Sequence, residues 1–302
     1  MSRLEQLEAF VAVVESGSIS AASQRLGIAK SGVSRRLAEL ERRLGAQLVR
    51  RTTRRLDLTE EGRNFYGRSQ RILEELDDAE QALASGERGL TGTLRVAAPL
   101  SFGIDHLSPA VSEFLGEHPH LTIELELDDA RIDLIERGCD LAIRIADLAD
   151  SSLAARRLTP VRLLLTASPA YLARCGTPAH PDDLRRHACL RYTNPGYTTW
   201  NWTGPDGTNG SVAVSGPLST NNGECLREAA IAGHGITLEP NFIVHEALRD
   251  GRLVRVLPDY AWPEMHAWAV WPSTRLLSRR VRTFVDFLAV RFTDRPYFDE
   301  GL

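Results

Sequence analysis

The chain has 302 residues, with 36 basic and 40 acidic side chains and 43% hydrophobic residues. At roughly 100–200 residues per domain this length accommodates two or three domains, and its ordinary apolar and charged fractions exclude wholesale disorder, a collagen-like fibre and a membrane protein. No run approaches the ~18 apolar residues that a spanning helix needs, and the start Met1-Ser2-Arg3-Leu4-Glu5 carries no signal-peptide core. Cys139, Cys175, Cys189 and Cys225 form no CxxC and no metal-like spacing, so a reducing cytoplasm is the expected location.

The net charge of −4 hides an asymmetry: residues 1–71 hold 14 Lys+Arg against 8 Asp+Glu, and the remainder 22 against 32. A small basic head on a larger acidic body points to a polyanion partner for the head alone.

In chain order, Leu4, Leu7, Phe10, Val11 and Val14 recur at helical spacing up to Gly17. A short helix is expected over 20–26, with Ser18 or Ser20 as its cap and Gly27 as its stop. A third is expected over 30–44, its apolar stripe Val33, Leu37, Leu40 and Leu44. Residues 48–58 read as two short strands around an Arg-Thr-Thr-Arg-Arg tip. Thr59 then caps a long helix whose Phe65, Ser69, Ile72, Leu76, Ala79 and Leu83 alternate at spacings of 4 and 3, a seam that calls for a partner helix. Ser85-Gly86, Gly89 and Gly92 mark a hinge.

From Thr93 onward strand and helix patterns alternate. Strands are expected at 94–98, 121–127, 141–145, 162–167, 211–215, 235–238, 253–256 and 265–271, and helices at 103–117, 131–137, 223–232, 242–249 and 277–292. This alternation predicts an α/β body with substantially parallel sheets.

Two short helices joined by a tight glycine turn form the helix-turn-helix pattern, whose second helix enters the DNA major groove. Opposite the Val33 stripe, a 100° step places Ser31, Arg35, Ala38 and Arg42, with Lys30 and Ser34 flanking the start. Small and basic residues there suit base and phosphate contacts. Residues 50–55 hold four arginines, two hydroxyls and no acid, which suits phosphates. Lys30, the chain's only lysine, reads as a phosphate contact or as a plain surface lysine.

The stretches Ser18-Ile-Ser-Ala-Ala-Ser-Gln-Arg-Leu-Gly27, Ser31-Gly-Val-Ser-Arg-Arg-Leu-Ala-Glu-Leu-Glu41 and Leu58-Thr-Glu-Glu-Gly62 closely resemble the LysR-type transcriptional regulators. The resemblance continues through Asp140-Leu-Ala-Ile-Arg-Ile145, Asp150-Ser-Ser-Leu153 and Ala229-Ala-Ile-Ala-Gly-His-Gly-Ile236, covering nearly the whole chain. It implies an α/β protein with an all-α winged helix-turn-helix over 1–59, a dimerising linker helix over 60–89, and a two-subdomain effector-binding domain over 90–302 similar to periplasmic binding proteins. Subdomain I would comprise about 90–160 and 268–302 and subdomain II about 161–267, with crossovers near Thr159 and Ala267. Ser18, Lys30, Ser31, Ser34, Arg35, Arg36, Arg51, Thr52 and Arg54 are the expected DNA contacts. The partners implied are double-stranded DNA, a small effector, a second copy in a dimer or tetramer, and RNA polymerase. The family often has Leu where His234 stands, and an apolar residue or Gln where Glu239 stands.

Ligands of α/β sheets bind beyond the carboxyl ends of strands. That places the effector at Leu100, Ser101 and Phe102 after one strand and at Thr220, Asn221 and Asn222 before a helix, with Arg144 supplying a charge or pairing with a neighbouring acid. The expected effector is a small, carboxylated metabolite. Tyr197, Trp200 and Trp202 could line a far wall, but core packing is the simpler reading.

Enzyme chemistry finds no support. There is no GxSxG, GxxxxGK[ST] or HExxH, Gly233-His-Gly235 lacks a dinucleotide fingerprint's third glycine, and His118-Pro-His120 is too closely spaced for helical metal ligands. No catalytic residue, cofactor or metal is expected, and Cys225, near a helix start, reads as a small buried residue rather than a low-pKa thiol. The rival to effector gating is a constitutive architectural DNA binder whose body only oligomerises; about 210 residues are excessive for that role.

Overall fold

A computed structural model describes residues 2–51, 56–83, 89–129, 138–147, 153–193, 199–272 and 277–301. The chain divides into two compact units, residues 1–88 and 89–302.

In the first unit, helix α1 (Arg3–Ser16) opens with a capping box: the Ser2 hydroxyl accepts from a first-turn amide while Glu5 accepts from the Ser2 amide at 2.9 Å. Gly17, at φ +65°, closes it in the left-handed region. Ser18 caps α2 (Ile19–Leu26), accepting from the Ala21 amide at 3.1 Å, and α3 (Lys30–Leu44) follows after Gly27. Phe10, Val13, Ala22, Val33, Leu37 and Leu40 bury together as the core of the three helices.

A two-stranded wing, β1 (Val49–Arg51) against β2 (Leu56–Leu58), hangs on α3 through one carboxylate. Glu41 accepts from the Leu48 and Val49 amides at 2.8 and 3.1 Å. The Thr59 hydroxyl donates to the Gln47 carbonyl at 2.7 Å and accepts from the Gly62 amide at 2.9 Å, so it caps α4 (Glu60–Leu83) and ties it to the wing. A Cβ on Gly62 would stand 2.0 Å from the Leu48 carbonyl oxygen. The Leu58-Thr-Glu-Glu-Gly62 motif is therefore a packing requirement.

The expected seam of α4 is partly spent inside its own chain. Phe65 packs on Phe10 with ring centres 5.7 Å apart, and Ser69 is fully buried. Ile72 remains 47% exposed. The side chains of Ala79 and Leu83 lie outside the described residues.

In the second unit, parallel strands β3 (Gly92–Ala98), β4 (Leu121–Leu127) and β5 (Leu141–Ala146) pair with the long antiparallel strands β6 (Leu153–Ala167) and β13 (Glu264–Pro272). Beyond Arg162, β6 leaves β13 and pairs with β11 (Ile236–Pro240), which runs parallel to β7 (Cys189–Tyr192) and, through it, β10 (Ser219–Thr220). The short strand β12 (Val254–Arg255) also pairs with β6. One path of strands thus holds two parallel groups joined by antiparallel ones, a more mixed sheet than the sequence predicts. Thr159 and Ala267, the expected crossover points, face each other across the β6–β13 ladder, and its register shifts between Ala267 and Trp268. The strand expected at 162–167 begins at Leu153. The helix expected at 131–137 lies outside the described residues.

The helix expected from Gly103 starts earlier, as Leu100–Phe102, a π turn Gly103–Leu107 and Ser108–Glu117. The missing N–H of Pro109 at its third segment's start disfavours regular pairing there. The π turn delivers His106, 3% exposed, into a cluster with Phe102, Phe242 and Phe298. Its Nε2 faces the Phe242 carbonyl at 3.3 Å and its Nδ1 the Tyr297 hydroxyl. A carbonyl only accepts, so Nε2 carries the proton and Nδ1 accepts from Tyr297.

Burial holds His106 down at about 4, against the raising influence of the Phe242 carbonyl and Asp105. Once unfolded, the ring binds a proton below its ordinary 6.5 while the folded ring stays neutral. The stability it contributes is therefore complete above pH 6.5 and is lost as pH falls toward 4, by roughly 3 kcal/mol over the whole window. All five tryptophans lie in this unit, so urea unfolding followed by their fluorescence reads it directly. His106→Gln should flatten the pH dependence between 6.5 and 4; an unchanged slope would rule out His106 as its source.

Candidate nucleic-acid interface and ligand cavity

The expected DNA contacts divide into those the fold leaves open and those it uses. Lys30, Ser31 and Arg35 are exposed on the first turns of α3, and Ser34 is half-buried beside them. Ala29 provides no side-chain cap for this helix, and its carbonyl accepts from the Gly32 and Val33 amides at 2.8 and 3.2 Å. Ser18 is exposed at the start of α2, with its oxygen engaged as the cap.

Arg36 departs from expectation. Its guanidinium donates to Glu5 at 3.1 Å with the side chain 18% exposed, so it ties α3 to α1 and does not face outward as a DNA contact. Arg43 makes a parallel tie, donating to Gln6 at 3.2 Å. Arg50 is exposed on the wing, whereas Thr52, Arg54 and the Arg51 side chain lie outside the described residues.

In the body, a cavity of about 160 Å³ opens at the carboxyl ends of β3, β5, β7 and β11. Pro99, Ser101, Phe102, Asp129 and Ile145 line it from one side. Tyr192, Gly223, Leu238, Glu239, Phe242 and Ile243 line it from the other, with Leu163 and Met265 on the shared strands. Across it the Asn222 side-chain amide donates to the Ser101 hydroxyl at 3.4 Å. Asn222 Oδ1 meanwhile caps the helix Gly223–Ile231 by accepting from the Cys225 amide at 3.1 Å.

Of the expected effector residues, Ser101 and Phe102 line this cavity and Asn222 reaches it through Ser101. Phe102 is fully buried and serves equally as a core ring. Leu100 is 36% exposed outside the lining, its amide donating to Asp129 at 2.9 Å. Thr220 accepts from the Asn222 amide at 3.3 Å, and neither it nor the exposed Asn221 is among the described lining residues.

Arg144 stands on the wrong face. Successive strand residues point to opposite sides; Ile145 lines the cavity, and Arg144 pairs with Trp268 on the other side of the sheet. Trp200 is 3% exposed in the second hydrophobic core, Trp202 packs against Tyr260, and Tyr197 lies outside the described residues. The described lining contains Asp129 and Glu239 and no Lys, Arg or His, so it offers the expected carboxylated effector no counter-charge.

Glu239, expected near the cleft by resemblance but not among the named effector residues, carries the cavity's buried charge-bearing group. It is 1% exposed, and its Oε1 accepts from the Thr237 hydroxyl at 3.1 Å. Burial pushes its carboxyl up to about 8, against the lowering influences of Thr237 and the Arg227 charge. The signal was visible in sequence as an acid inside the apolar strand Ile236-Thr-Leu-Glu239.

A basic winged helix-turn-helix and an α/β body with a cavity at its strand ends define a ligand-responsive DNA-binding regulator. Residues 4–63 match the model of bacterial regulatory helix-turn-helix proteins of the lysR family, and residues 87–293 match that of the LysR substrate binding domain. The chain belongs to the LysR family of transcriptional regulators.

Its relatives include an HTH-type transcriptional regulator of Xanthomonas campestris pv. campestris (strain 8004), 39% identical over 93% of this chain and 83% of that protein. CrgA of Neisseria meningitidis serogroup B is 38% identical over 94% of this chain and 95% of its own. The solved structure of CrgA aligns with TM-score 0.62 at 36% identity, covering 97% of this chain and 100% of that one. The full-length Vibrio cholerae virulence activator AphB aligns equally well, at 30% identity over 97% and 100%. The protein is thus a sequence-specific DNA-binding regulator whose body takes a small effector.

The two adjacent arginines of α3 should separate cleanly. Arg35→Ala should cost ~1–3 kcal/mol on the operator and relax specificity. Arg36→Ala should leave specificity intact and weaken the head, by about 0.5–1 kcal/mol for a partly exposed pair. Binding isotherms on operator and random DNA, beside melting of each variant, distinguish them; equal losses on both DNAs for Arg35→Ala would remove its base-reading role.

Proposed function

We propose that this regulator reads its operator with Ser34 and Arg35 and holds phosphates with Lys30, Ser31 and the wing residues Arg51, Thr52 and Arg54. The exposed basic first turns of α3 support this division. Ser18, at the head of α2, adds a hydroxyl to the backbone-facing edge.

The functional units are residues 1–59, 60–89 and 90–302, the last holding two subdomains that exchange at Thr159 and Ala267. The cavity is where the effector acts. The observation that carries this reading is the Asn222–Ser101 hydrogen bond, made between residues contributed by opposite sides of the cavity. A ligand that replaces or reinforces that contact favours one relative setting of the two sides. It can shift the balance only by its differential affinity for the two settings. Contact with RNA polymerase and a cytoplasmic location complete the expected setting of such a regulator.

A metabolite that raises the unfolding midpoint of the full chain should bind with an affinity that operator DNA changes by the same factor as the metabolite changes operator affinity. Calorimetry with and without operator measures both. Ser101→Val should weaken the metabolite; an unaffected Ser101→Val would place the effector elsewhere, and a factor of one would remove the gating.

Self-association through α4 follows from Ile72, 47% exposed on a helix whose Phe65, Tyr66 and Leu73 pack against the head, with Leu76 one turn further along the same stripe. Leu76→Asp would bury a charge between paired helices, and sedimentation and operator titration should show dimer and DNA affinity falling together. An unchanged sedimentation profile would remove α4 from the interface.

A further inference from the structure

We infer that the body cavity is built for a small organic cation with an apolar frame, and that Glu239 is the residue that selects its charge. This rests on the effector reading above and adds the chemical class of the ligand.

The electrostatics of the described lining are one-sided. Glu239 and Asp129 are its ionisable acids, Tyr192 its phenol, and it holds no basic side chain. Asp129 already accepts from the Leu100 amide, so it contributes a negative background and little free bonding capacity. Glu239 is different: 1% exposed, it receives one hydroxyl donor, from Thr237, on Oε1.

Its other oxygen, Oε2, lies beside Gly223, where a Cβ would come within 2.5 Å of it and of the Ile243 side chain. Glycine at that position keeps the oxygen approachable. Arg227, the nearby positive charge, is held by Glu228 at 3.0 Å and by the Ile243 carbonyl at 3.2 Å. A buried carboxyl without a cation sits as the neutral acid, in keeping with its raised affinity for a proton. A ligand ammonium supplies the missing partner.

An anion would meet two carboxyls and no compensating cation, and a neutral apolar ligand would gain nothing from Glu239. Phe102, Phe242 and Tyr192 line the cavity with aromatic rings that suit the frame of the ligand.

The test uses three probes of one shape and different charge, benzylamine, benzyl alcohol and benzoate, titrated into the full-length protein by calorimetry at pH 7. Benzylamine should bind at least about tenfold more tightly than benzoate. Glu239→Gln, which keeps an acceptor for Thr237, should abolish that preference while leaving benzyl alcohol binding within about twofold; tryptophan-monitored melting confirms that the variant folds. Glu239→Asp, which keeps the charge on a shorter arm, should retain part of the preference. Benzoate binding as tightly as benzylamine, or a preference that survives Glu239→Gln, would overturn the charge assignment and leave the cavity reading standing. Failure of all three probes to bind would overturn both, because the cavity would then take no ligand of this size.

Discussion

The long strand β6 is the constraint on which the second unit depends. Its first part pairs with β13 from Leu153 opposite Pro272 to Arg162 opposite Glu264, and its last residues pair with β11 and β12. A single stretch of backbone therefore takes part in the ladders that join the two groups of parallel strands. Any rotation of one group against the other must bend β6 and β13 without breaking their ladder. The register shift at Ala267/Trp268, opposite Thr159 and Arg157, leaves Leu158 as the extra residue, and such a bulge adds local twist. Leu158 is 4% exposed and Thr159 donates to the Thr293 carbonyl at 2.8 Å, so the irregularity is anchored. The cavity lies beside this ribbon, lined by Leu163 of β6 and Met265 of β13. A ligand touching the sides of the cavity therefore acts beside the two strands that join them.

The head obeys a different constraint, one of polar ties. Glu41 satisfies two wing amides, Thr59 bridges the wing and α4, and Gly62 allows α4 to lie against the Leu48 carbonyl. Phe65, Tyr66 and Leu73 then press α4 onto the core of α1. The first four turns of the long helix are thus part of the DNA-binding fold, and a displacement of α4 has a stiff route to the wing. Arg36 and Arg43, spent on Glu5 and Gln6, hold α3 on α1 and leave Arg35 free to face outward.

Much of this was legible because short-range chemistry dictates it. Ser18, Gly17, Gly27 and Gly45 mark the ends of three helices by capping and by left-handed backbone, effects confined to a few residues. The strand alternation of Leu121–Leu127 is likewise a local signal. What failed were readings that need a third dimension. Arg36 sits one position from Arg35, and only the placement of Glu5 on α1 shows which of the two is spent. Arg144 near the end of a strand reads equally as a ligand charge or as the partner of an acid, and only strand alternation, with Ile145 lining the cavity, turns it from the ligand side. Strand β7 and the strand Thr199–Thr203 escaped detection because their short segments carry mixed polarity, whereas the hairpin partner Asn209–Ala213 overlaps the strand expected at 211–215. Phe65 and Ser69 fit a coiled-coil spacing that an intramolecular groove satisfies as well.

Glu239 shows how a local inconsistency becomes informative. A fold tolerates a buried acid only at a cost in stability, since the folded protein must either dehydrate the carboxylate or hold a proton on it. Thr237 relieves part of that cost with one donor, and the strand's other buried residues, Ile236, Thr237 and Leu238, follow the packing rule. Nothing in the hydrophobic core calls for the acid: an apolar residue there would fill the space with less strain on the energetics. The penalty is therefore best understood as tied to the cavity, where a partner of opposite charge would convert an unfavourable burial into a favourable pairing. Because that conversion occurs only when ligand is present, it supplies a difference between free and occupied states, and such a difference is what a gated regulator requires.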